Sequence, residues 1–408
     1  MKIEKMSEKQ LQIFDFIVSD DLYLICDGAV RSGKTVFMSA AFVIWAMQYY
    51  DRTNFAICGK TVQSAERNVL KPLQENESLP YTMTYKVSTK VLTVRCGAKE
   101  NYFYIFGGKD ESSYMLIQGI TLAGVLFDEV ALMPRSFVEQ ALSRAISFEK
   151  PKYWFNCNPE SPQHYFYKEW LENQKEGTTH LHFLLEDNPI LTPQMIERTK
   201  AMYSGVFYDR YIRGLWVMAE GIIYPVFSKD TTVAPTIDRK YSRYVISMDY
   251  GIQNPTAMLL WGLCDGVWYQ VDEFYHSGRE TLRQKTDQEY YEDLERLAGD
   301  RAVDCLIVDP SATSFIALVK QKRRFRVKKA VNDVIDGIQK TASALKTGKI
   351  KVNDCCNRTI NEYGLYSWEP GGEDRPIKDN DHAMDATRYF VNTMNIMKPK
   401  SEYRSLLE

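Results

Sequence analysis

The sequence predicts an α/β protein of two domains, and three observations lead there. Strand-like apolar runs alternate with helical periodicity along most of the chain. One early run ends in a glycine-rich loop that opens a helix, and two later runs end in aspartate. The length of 408 residues exceeds what one ordinary core fills.

Composition narrows the class. Apolar content of 45% and charged content of 25% are those of a soluble globular chain. A net charge of −2 gives no overall attraction to nucleic acid, so any such surface must be a local patch. The eight cysteines form no C-x-x-C pair, and Cys26, Cys58, Cys157 and Cys305 fall in apolar runs. Reduced, buried thiols in a reducing compartment are the expectation. Met1-Lys2-Ile3-Glu4-Lys5 lacks a signal-peptide apolar region, and no run reaches membrane-spanning length, so no membrane partner is expected.

Taken in order, Ser7-Glu8-Lys9-Gln10-Leu11-Gln12-Ile13 begins an amphipathic helix with a polar start. Gln10 or Gln12 is a candidate for an adenine edge, the alternative being an exposed helix glutamine. Residues 22–26 read as a short buried strand. Gly28-Ala29-Val30-Arg31-Ser32-Gly33-Lys34-Thr35 then matches G-x-x-x-x-G-K-[ST] at every fixed position. A helix free of Gly and Pro follows, through Ala46. Such a turn presents backbone N–H groups and a positive dipole end to phosphates. Ser32, Gly33 and Lys34 would cradle ATP, and the Thr35 hydroxyl would hold Mg²⁺.

Strands are expected at 54–59, 81–87, 91–95 and 102–106, with a helix over 62–73. Residues 122–127 form an apolar run that ends in Asp128-Glu129. In an open α/β sheet these acids lie at the ligand-bearing carboxyl end of a strand. Asp128 is the candidate Mg²⁺ ligand, and Glu129 the base that deprotonates water. The next strand, at 152–156, leads into Asn156-Cys157-Asn158-Pro159, whose amides are candidate γ-phosphate sensors; a plain Asn-Pro turn is the alternative. An arginine that stabilises transition-state charge is expected. Arg31 is the candidate in cis, and Arg144 or Arg135, on a helix over 135–146, in cis or across a subunit interface. A strand near 178, the turn Glu186-Asp187-Asn188-Pro189 and two helices complete this domain, 1–220. Residues 221–240 mix Gly, Pro, Ser and Thr without period and read as a linker.

The second domain is expected over 241–396. Its strands Tyr244-Val245-Ile246-Ser247-Met248-Asp249 and Cys305-Leu306-Ile307-Val308-Asp309 each end in aspartate, with strands near 256–263 and 267–274 and a helix over 282–297 between them. Asp379-Asn380-Asp381-His382-Ala383-Met384-Asp385 opens a late helix, with Asp381 and Asp385 on one face. Carboxylates placed this way are the arrangement of a ribonuclease H-like nuclease, which holds two divalent metals, Mg²⁺ or Mn²⁺. Without metal, such clustered charges repel. Dipole-complementing acids and strand-end caps are the alternative. Lys320-Gln321-Lys322-Arg323-Arg324-Phe325-Arg326-Val327-Lys328-Lys329 is a phosphate-tracking candidate, or else a solvated helix end and edge strand. A polar tail follows over 397–408.

A phosphate-loop NTPase domain followed by a ribonuclease H-like nuclease domain resembles the terminase large subunit of tailed bacteriophages. The resemblance runs over nearly the whole chain: residues 28–35, Phe127-Asp128-Glu129, Asn156-Cys157-Asn158-Pro159, Asp187-Asn188-Pro189, Gly214-Leu215-Trp216-Val217, Gly221-Ile222-Ile223-Tyr224-Pro225, Met248-Asp249-Tyr250-Gly251, Val308-Asp309 and Asp381-His382-Ala383-Met384-Asp385-Ala386, in the family's order. It implies ATP-driven pumping of double-stranded DNA into a procapsid and endonucleolytic cutting of concatemers. It further implies a portal protein ring, a small terminase subunit, a homo-oligomeric ring on the portal with a monomer in solution, and a place in the host cytoplasm at the portal vertex. Asp249, Asp309 and Asp385 become the metal carboxylates, His382 part of a His-x-x-Asp form, and Asn156-Cys157-Asn158 the coupling motif. Arg31 departs slightly, since many relatives carry their loop arginine one residue earlier. Two rivals are a repair-type helicase–nuclease, which would need a second motor domain, and an ATP-switched DNA-binding assembly factor, which would not need Glu129.

Overall fold

The computed structural model describes residues 5–145, 147–148, 150–251, 255–281, 283–371 and 374–397. The tail from 398 on, Ile146 at the end of one expected helix and Leu282 at the start of another lie outside the described residues. Packing divides the chain into two compact units: Met1–Lys200 with Tyr208–Met218, and Ala201–Phe207 with Ala219–Glu408.

The first unit is built on eight strands: β1 (Tyr23–Gly28), β2 (Asn54–Gly59), β3 (Thr82–Lys86), β4 (Val91–Cys96), β5 (Lys99–Gly107), β6 (Gly124–Asp128), β7 (Lys152–Asn156) and β8 (Thr178–Phe183). Their order is β3-β4-β5-β2-β6-β7-β1-β8. From β5 to β8 every pairing is parallel, while β3 and β4 add an antiparallel edge. Both faces are covered, so the central strands are apolar throughout rather than alternating. Leu24, Ile57, Leu126 and Trp154 pack on one face with the helix Lys34–Tyr49. Ile25, Ala56, Phe127 and Phe155 pack on the other with Val138, Phe166 and Trp170. That helix is apolar nearly all round, as one sunk into a core must be. Each large side chain it buries, such as Phe42, contributes about 1.5–3 kcal/mol. The order brings the carboxyl ends of β6, β7 and β1 side by side, which places Asp128, Asn156 and the phosphate loop next to one another.

The helix expected over 62–73 has a wider turn in its middle: Val62–Ala65 and Lys71–Gln74 flank a π-turn, Glu66–Leu70. Pro72 explains it. A proline ring crowds the carbonyl four residues back, here that of Asn68, and the backbone takes a wider turn instead.

The second unit holds β9 (Val233–Ala234), β10 (Arg243–Asp249), β11 (Thr256–Cys264), β12 (Val267–His276), β13 (Val303–Val308), β14 (Val327–Lys329) and β15 (Ile350–Asn353). Their order is β14-β13-β10-β11-β12-β15-β9. β10, β11 and β12 form an antiparallel meander; β13 runs parallel to β10 and β15 parallel to β12. The helix His382–Met394 covers one face, where Phe390 stacks on Trp261 with centroids 4.2 Å apart. The helices Asp287–Ala298 and Thr313–Lys322 cover the other, around Leu260, Leu294, Leu306 and Phe315.

Residues 221–240 do not form a free linker. β9 pairs with β15, Ile222 bridges to Ser367, and Phe227 stacks on Tyr363 at 4.1 Å. The turn-forming composition of this stretch hides two aromatic anchors, since Tyr224 is also buried.

Candidate active sites

The phosphate loop is shaped by two glycines. At Gly28, with φ of +117°, an added Cβ would lie 2.0 Å from the Phe183 carbonyl oxygen. Gly33, with φ of +90°, caps the helix Lys34–Tyr49, and there a Cβ would meet the Gln10 amide at 2.7 Å. Ala29 N–H donates to the Phe183 carbonyl at 2.7 Å and Val30 N–H to that of Tyr211 at 2.9 Å, so the loop is clamped from outside itself.

Around it, Arg31, Ser32, Gly33, Lys34, Glu129 and Asn158 are among the walls of a cavity of about 420 Å³, a size suited to a nucleotide. Lys34 Nζ donates to the carbonyls of Ala29 (2.6 Å) and Gly28 (3.1 Å), to Ser32 Oγ (3.3 Å) and to Asn158 Oδ1 (3.3 Å). Thr35 Oγ1 donates to Asp128 Oδ1 at 3.1 Å, and Asn156 Nδ2 reaches both at 2.7 Å. Asn158 Nδ2 donates to both Glu129 oxygens, at 2.9 and 3.0 Å. Burial raises the carboxyl pKa values of Asp128 and Glu129, and Asp128 pushes Glu129 further up. Burial lowers Lys34, against the pull of Glu129. The cradle and the oxygen pair at Thr35 and Asp128 fit a nucleotide with Mg²⁺.

Other candidates fall differently. The buried Gln10 accepts from Ser7 N–H in a capping box and donates from Nε2 to the Ser32 carbonyl at 2.9 Å. Through that bond it supports the phosphate loop, a role different from both the adenine contact considered for Gln10 or Gln12 and the exposed helix glutamine set against it. Arg31 is exposed in the left-handed region at φ +57°, with its carbonyl held by Asn188 Nδ2 at 2.7 Å. Arg144 ends its helix with its guanidinium on Ser143 Oγ, and it does not line the cavity. Arg135 is paired with Glu139 and Glu169 on the surface. Asn68, unremarkable in sequence, donates to Asp128 Oδ2 at 3.2 Å from the π-turn. Pro72 signals the altered turn in sequence, but not that it brings Asn68 to Asp128.

In the second unit Asp249, Asp381, His382 and Asp385 line a cavity of about 490 Å³ with Lys378. Asp249 Oδ2 meets His382 Nδ1 at 2.9 Å. Asp385 pairs with Arg388 at 2.9 Å, and Lys378 Nζ lies 3.3 Å from Asp381 and 3.6 Å from Asp385. Asp309 is held apart by Ser311 N–H (2.7 Å), Asn332 Nδ2 (3.3 Å) and Tyr389 OH (3.2 Å), and it does not line this cavity. Among the described residues, no three of these carboxylates close to within 4.8 Å of one another. The expected convergence is thus incomplete. Like charges repel, and the carboxylates are held by donors and cations, Lys378 being shared by Asp381 and Asp385. Burial raises Asp249 despite His382, with Asp385 adding to it. Burial works against a charged His382, but Asp249, Asp381 and Glu362 outweigh it and raise its pKa. Burial would raise Asp309, but its hydrogen bonds win and lower it. Glu362, also missed in sequence, accepts from Ala383 and Met384 N–H and is pushed up to about 7 by burial. The oxygen-rich set suits hard divalent metals.

The basic run 320–329 closes the helix Thr313–Lys322 and forms edge strand β14. Arg324 pairs with Glu295.

A family model described as terminase large subunit, T4likevirus-type, N-terminal, matches residues 25–229. Among solved structures the chain is similar to the large terminase of a thermophilic bacteriophage. One crystal form of that protein aligns at TM-score 0.92 and 49% identity over 96% of this chain and 100% of that one. Its complex with ADP aligns at 0.90 and 48% identity, over 96% and 100%. Its complex with ATP-γ-S aligns at 0.89 and 48%, over 95% and 99%. No curated protein matches the chain. No helix among the described residues is long and apolar enough to cross a membrane.

Proposed function

This chain belongs to the large subunits of phage terminases, and we propose that its first unit hydrolyses ATP to drive double-stranded DNA into a procapsid while its second cuts concatemeric DNA. Membership brings a general role in phage DNA packaging, with ATPase and nuclease activity.

One observation supports the motor reading above others: Asn158 joins Lys34 to Glu129 through opposite ends of one amide. Lys34 now donates to its own loop and to Asn158, and a phosphate in that loop would offer it stronger, charged acceptors. Withdrawal of Lys34 frees the Asn158 carbonyl end, while its N–H groups keep Glu129 aimed. Glu129, raised by burial and by Asp128, takes the proton of the attacking water. Thr35 and Asp128 would hold Mg²⁺, which would supply charge neutralisation at the phosphates. Arg31 at the cavity rim is the cis arginine, and Arg144 serves a neighbouring subunit in a ring on the portal. The complexes of the thermophilic phage protein with ADP and ATP-γ-S support the choice of nucleotide.

In the second unit Asp249, Asp309 and Asp385, with Asp381, would hold Mg²⁺ or Mn²⁺, and a metal bound there would supply Lewis acidity for water activation and for the leaving 3′-oxygen. His382 orients Asp249. The basic edge at 320–329 follows DNA phosphates, so binding falls steeply with salt. The portal ring and a small terminase subunit are the protein partners, with a monomer before assembly in the host cytoplasm. The test is packaging into purified procapsids, scored by nuclease-protected DNA. Lys34→Ala should end packaging and ATP hydrolysis yet leave plasmid cleavage by the same chain; ATP hydrolysis at the wild-type rate would refute the motor site.

A further inference from the structure

One cluster belongs to neither site. Asp27, the last residue before Gly28, is 1% exposed. Its Oδ1 meets His180 Nε2 at 2.8 Å and His182 Nδ1 at 2.9 Å, and its Oδ2 accepts from Trp216 Nε1–H at 2.7 Å. The two histidines alternate on β8 and so share a face. Parallel pairing sets Asp27 directly opposite His182. Among the described residues this is the group of three whose ligand atoms all lie within 4.8 Å of one another.

We propose that Asp27, His180 and His182 are a binding site for a divalent transition metal of the zinc type. Two imidazoles and one carboxylate select Zn²⁺, Co²⁺ or Ni²⁺ over Mg²⁺ or Ca²⁺, which prefer all-oxygen shells. The surroundings are those of a built site. Trp216 holds the carboxylate oxygen that faces away from the imidazoles, as outer hydrogen bonds do around bound metals. Gly214, with φ of +71°, leaves room for His182, since a Cβ there would lie 2.9 Å from its Nε2. Burial would raise the Asp27 carboxyl, but the two histidine contacts overcome it and hold the group well below the usual carboxylate range, so it stays charged. The histidine side chains are 27% and 39% exposed, which leaves one side open to water ligands.

Metal entry needs a proton movement and a small expansion. A ring proton on the nitrogen that faces Asp27 must pass to the other ring nitrogen or to solvent before that nitrogen can bind a metal. At His180 the other ring nitrogen faces the Gln174 amide at 3.2 Å, which turns its oxygen inward to accept. Ligand bonds of about 2.0–2.1 Å at tetrahedral angles set nitrogen and oxygen about 3.3 Å apart, so each contact opens by a few tenths of an ångström.

The test uses the full chain, free of nucleotide, titrated with Co²⁺. Wild type and Asp249→Asn should both develop the visible d–d bands of low-coordinate, imidazole-bound cobalt, and Zn²⁺ but not Mg²⁺ should bleach them. His182→Asn and His180→Asn, which keep a donor to Asp27, should lose the bands. Bands of equal strength in the histidine variants, or none in wild type, overturn the site. A measurement on wild type alone guards against misfolded variants. Mass-spectrometric mapping of diethyl pyrocarbonate adducts over the five histidines should show Zn²⁺ protecting His180 and His182. Labelling of these two unchanged by Zn²⁺ is equally fatal.

Discussion

The two acidic centres of this chain are held by opposite means. At Asp128 and Glu129 the hydrogen-bonding side chains are neutral, Asn68, Asn156 and Asn158 among them, while the cation Lys34 acts across the amide of Asn158. At Asp249, Asp381 and Asp385 the neighbours are His382, Lys378 and Arg388, which are cations or become so. Amides orient carboxylates without neutralising them, and burial, then repulsion from Asp128, raises the pKa of Glu129 toward the work of a base. Cations neutralise, and any divalent metal must first compete with them. The first site is therefore held mainly by hydrogen bonds, and the second mainly by ion pairs with which a metal would compete.

Crossed substitutions break this contrast most sharply. Glu129→Gln keeps shape but removes the base, and steady-state ATP hydrolysis should fall about 10²–10⁴-fold, with plasmid cleavage unchanged. Asp249→Asn should abolish cleavage and leave ATP hydrolysis alone. If either variant lost both activities, two independent sites would be untenable.

Asn158→Ala tests the amide support itself. Hydrogen bonds to charged groups contribute about 1.5–3 kcal/mol, so kcat for ATP should drop about 10–100-fold. The sign of the pH effect is definite. Glu129 acts deprotonated, so activity is lost as pH falls through its raised pKa. Asn158 favours the charged form, and its removal should shift the acid limb of the kcat profile to higher pH. A limb that stays put, or moves down, would mean that Glu129 is not the titrating base.

What sequence could and could not reveal follows from the same contrast. The phosphate loop and Asp128-Glu129 are contiguous, and their chemistry travels with the motif. The sheet was legible because buried parallel strands are unbroken apolar runs such as Phe55-Ala56-Ile57-Cys58. Asn68 was not, because a π-turn forced by Pro72 brings it to Asp128 across the sheet end. Lys378 and Glu362 lie in segments without a motif and matter only by proximity. Residues 221–240 misled because turn formers outnumber Tyr224 and Phe227, which do the anchoring. Arg135 was a reasonable candidate by position, but it faces Glu139 and Glu169 on its own surface.

Asn68→Ala should produce a milder effect than Asn158→Ala. Its single 3.2 Å bond steadies the Asp128 oxygen farther from Thr35. The Mg²⁺ concentration for half-maximal ATP hydrolysis should rise up to about tenfold, with kcat at saturating Mg²⁺ little changed. A fall in kcat with no change in Mg²⁺ requirement would show that the π-turn serves packing instead.

The smallest effect should be at Lys378, and its direction separates the two kinds of site. The ammonium sits 3.3 Å from Asp381 and 3.6 Å from Asp385 on a side chain that is 68% exposed. Exposed pairs of this sort contribute about 0.2–1 kcal/mol, which bounds the competition with metal at about fivefold. Lys378→Ala should therefore lower the Mn²⁺ concentration needed for half-maximal cleavage by a few fold, because the carboxylates lose a rival cation. Calorimetric titration of Mn²⁺ into the nucleotide-free chain should show the same tightening without reference to turnover. An ammonium that instead helped to assemble the site would give the reverse shift.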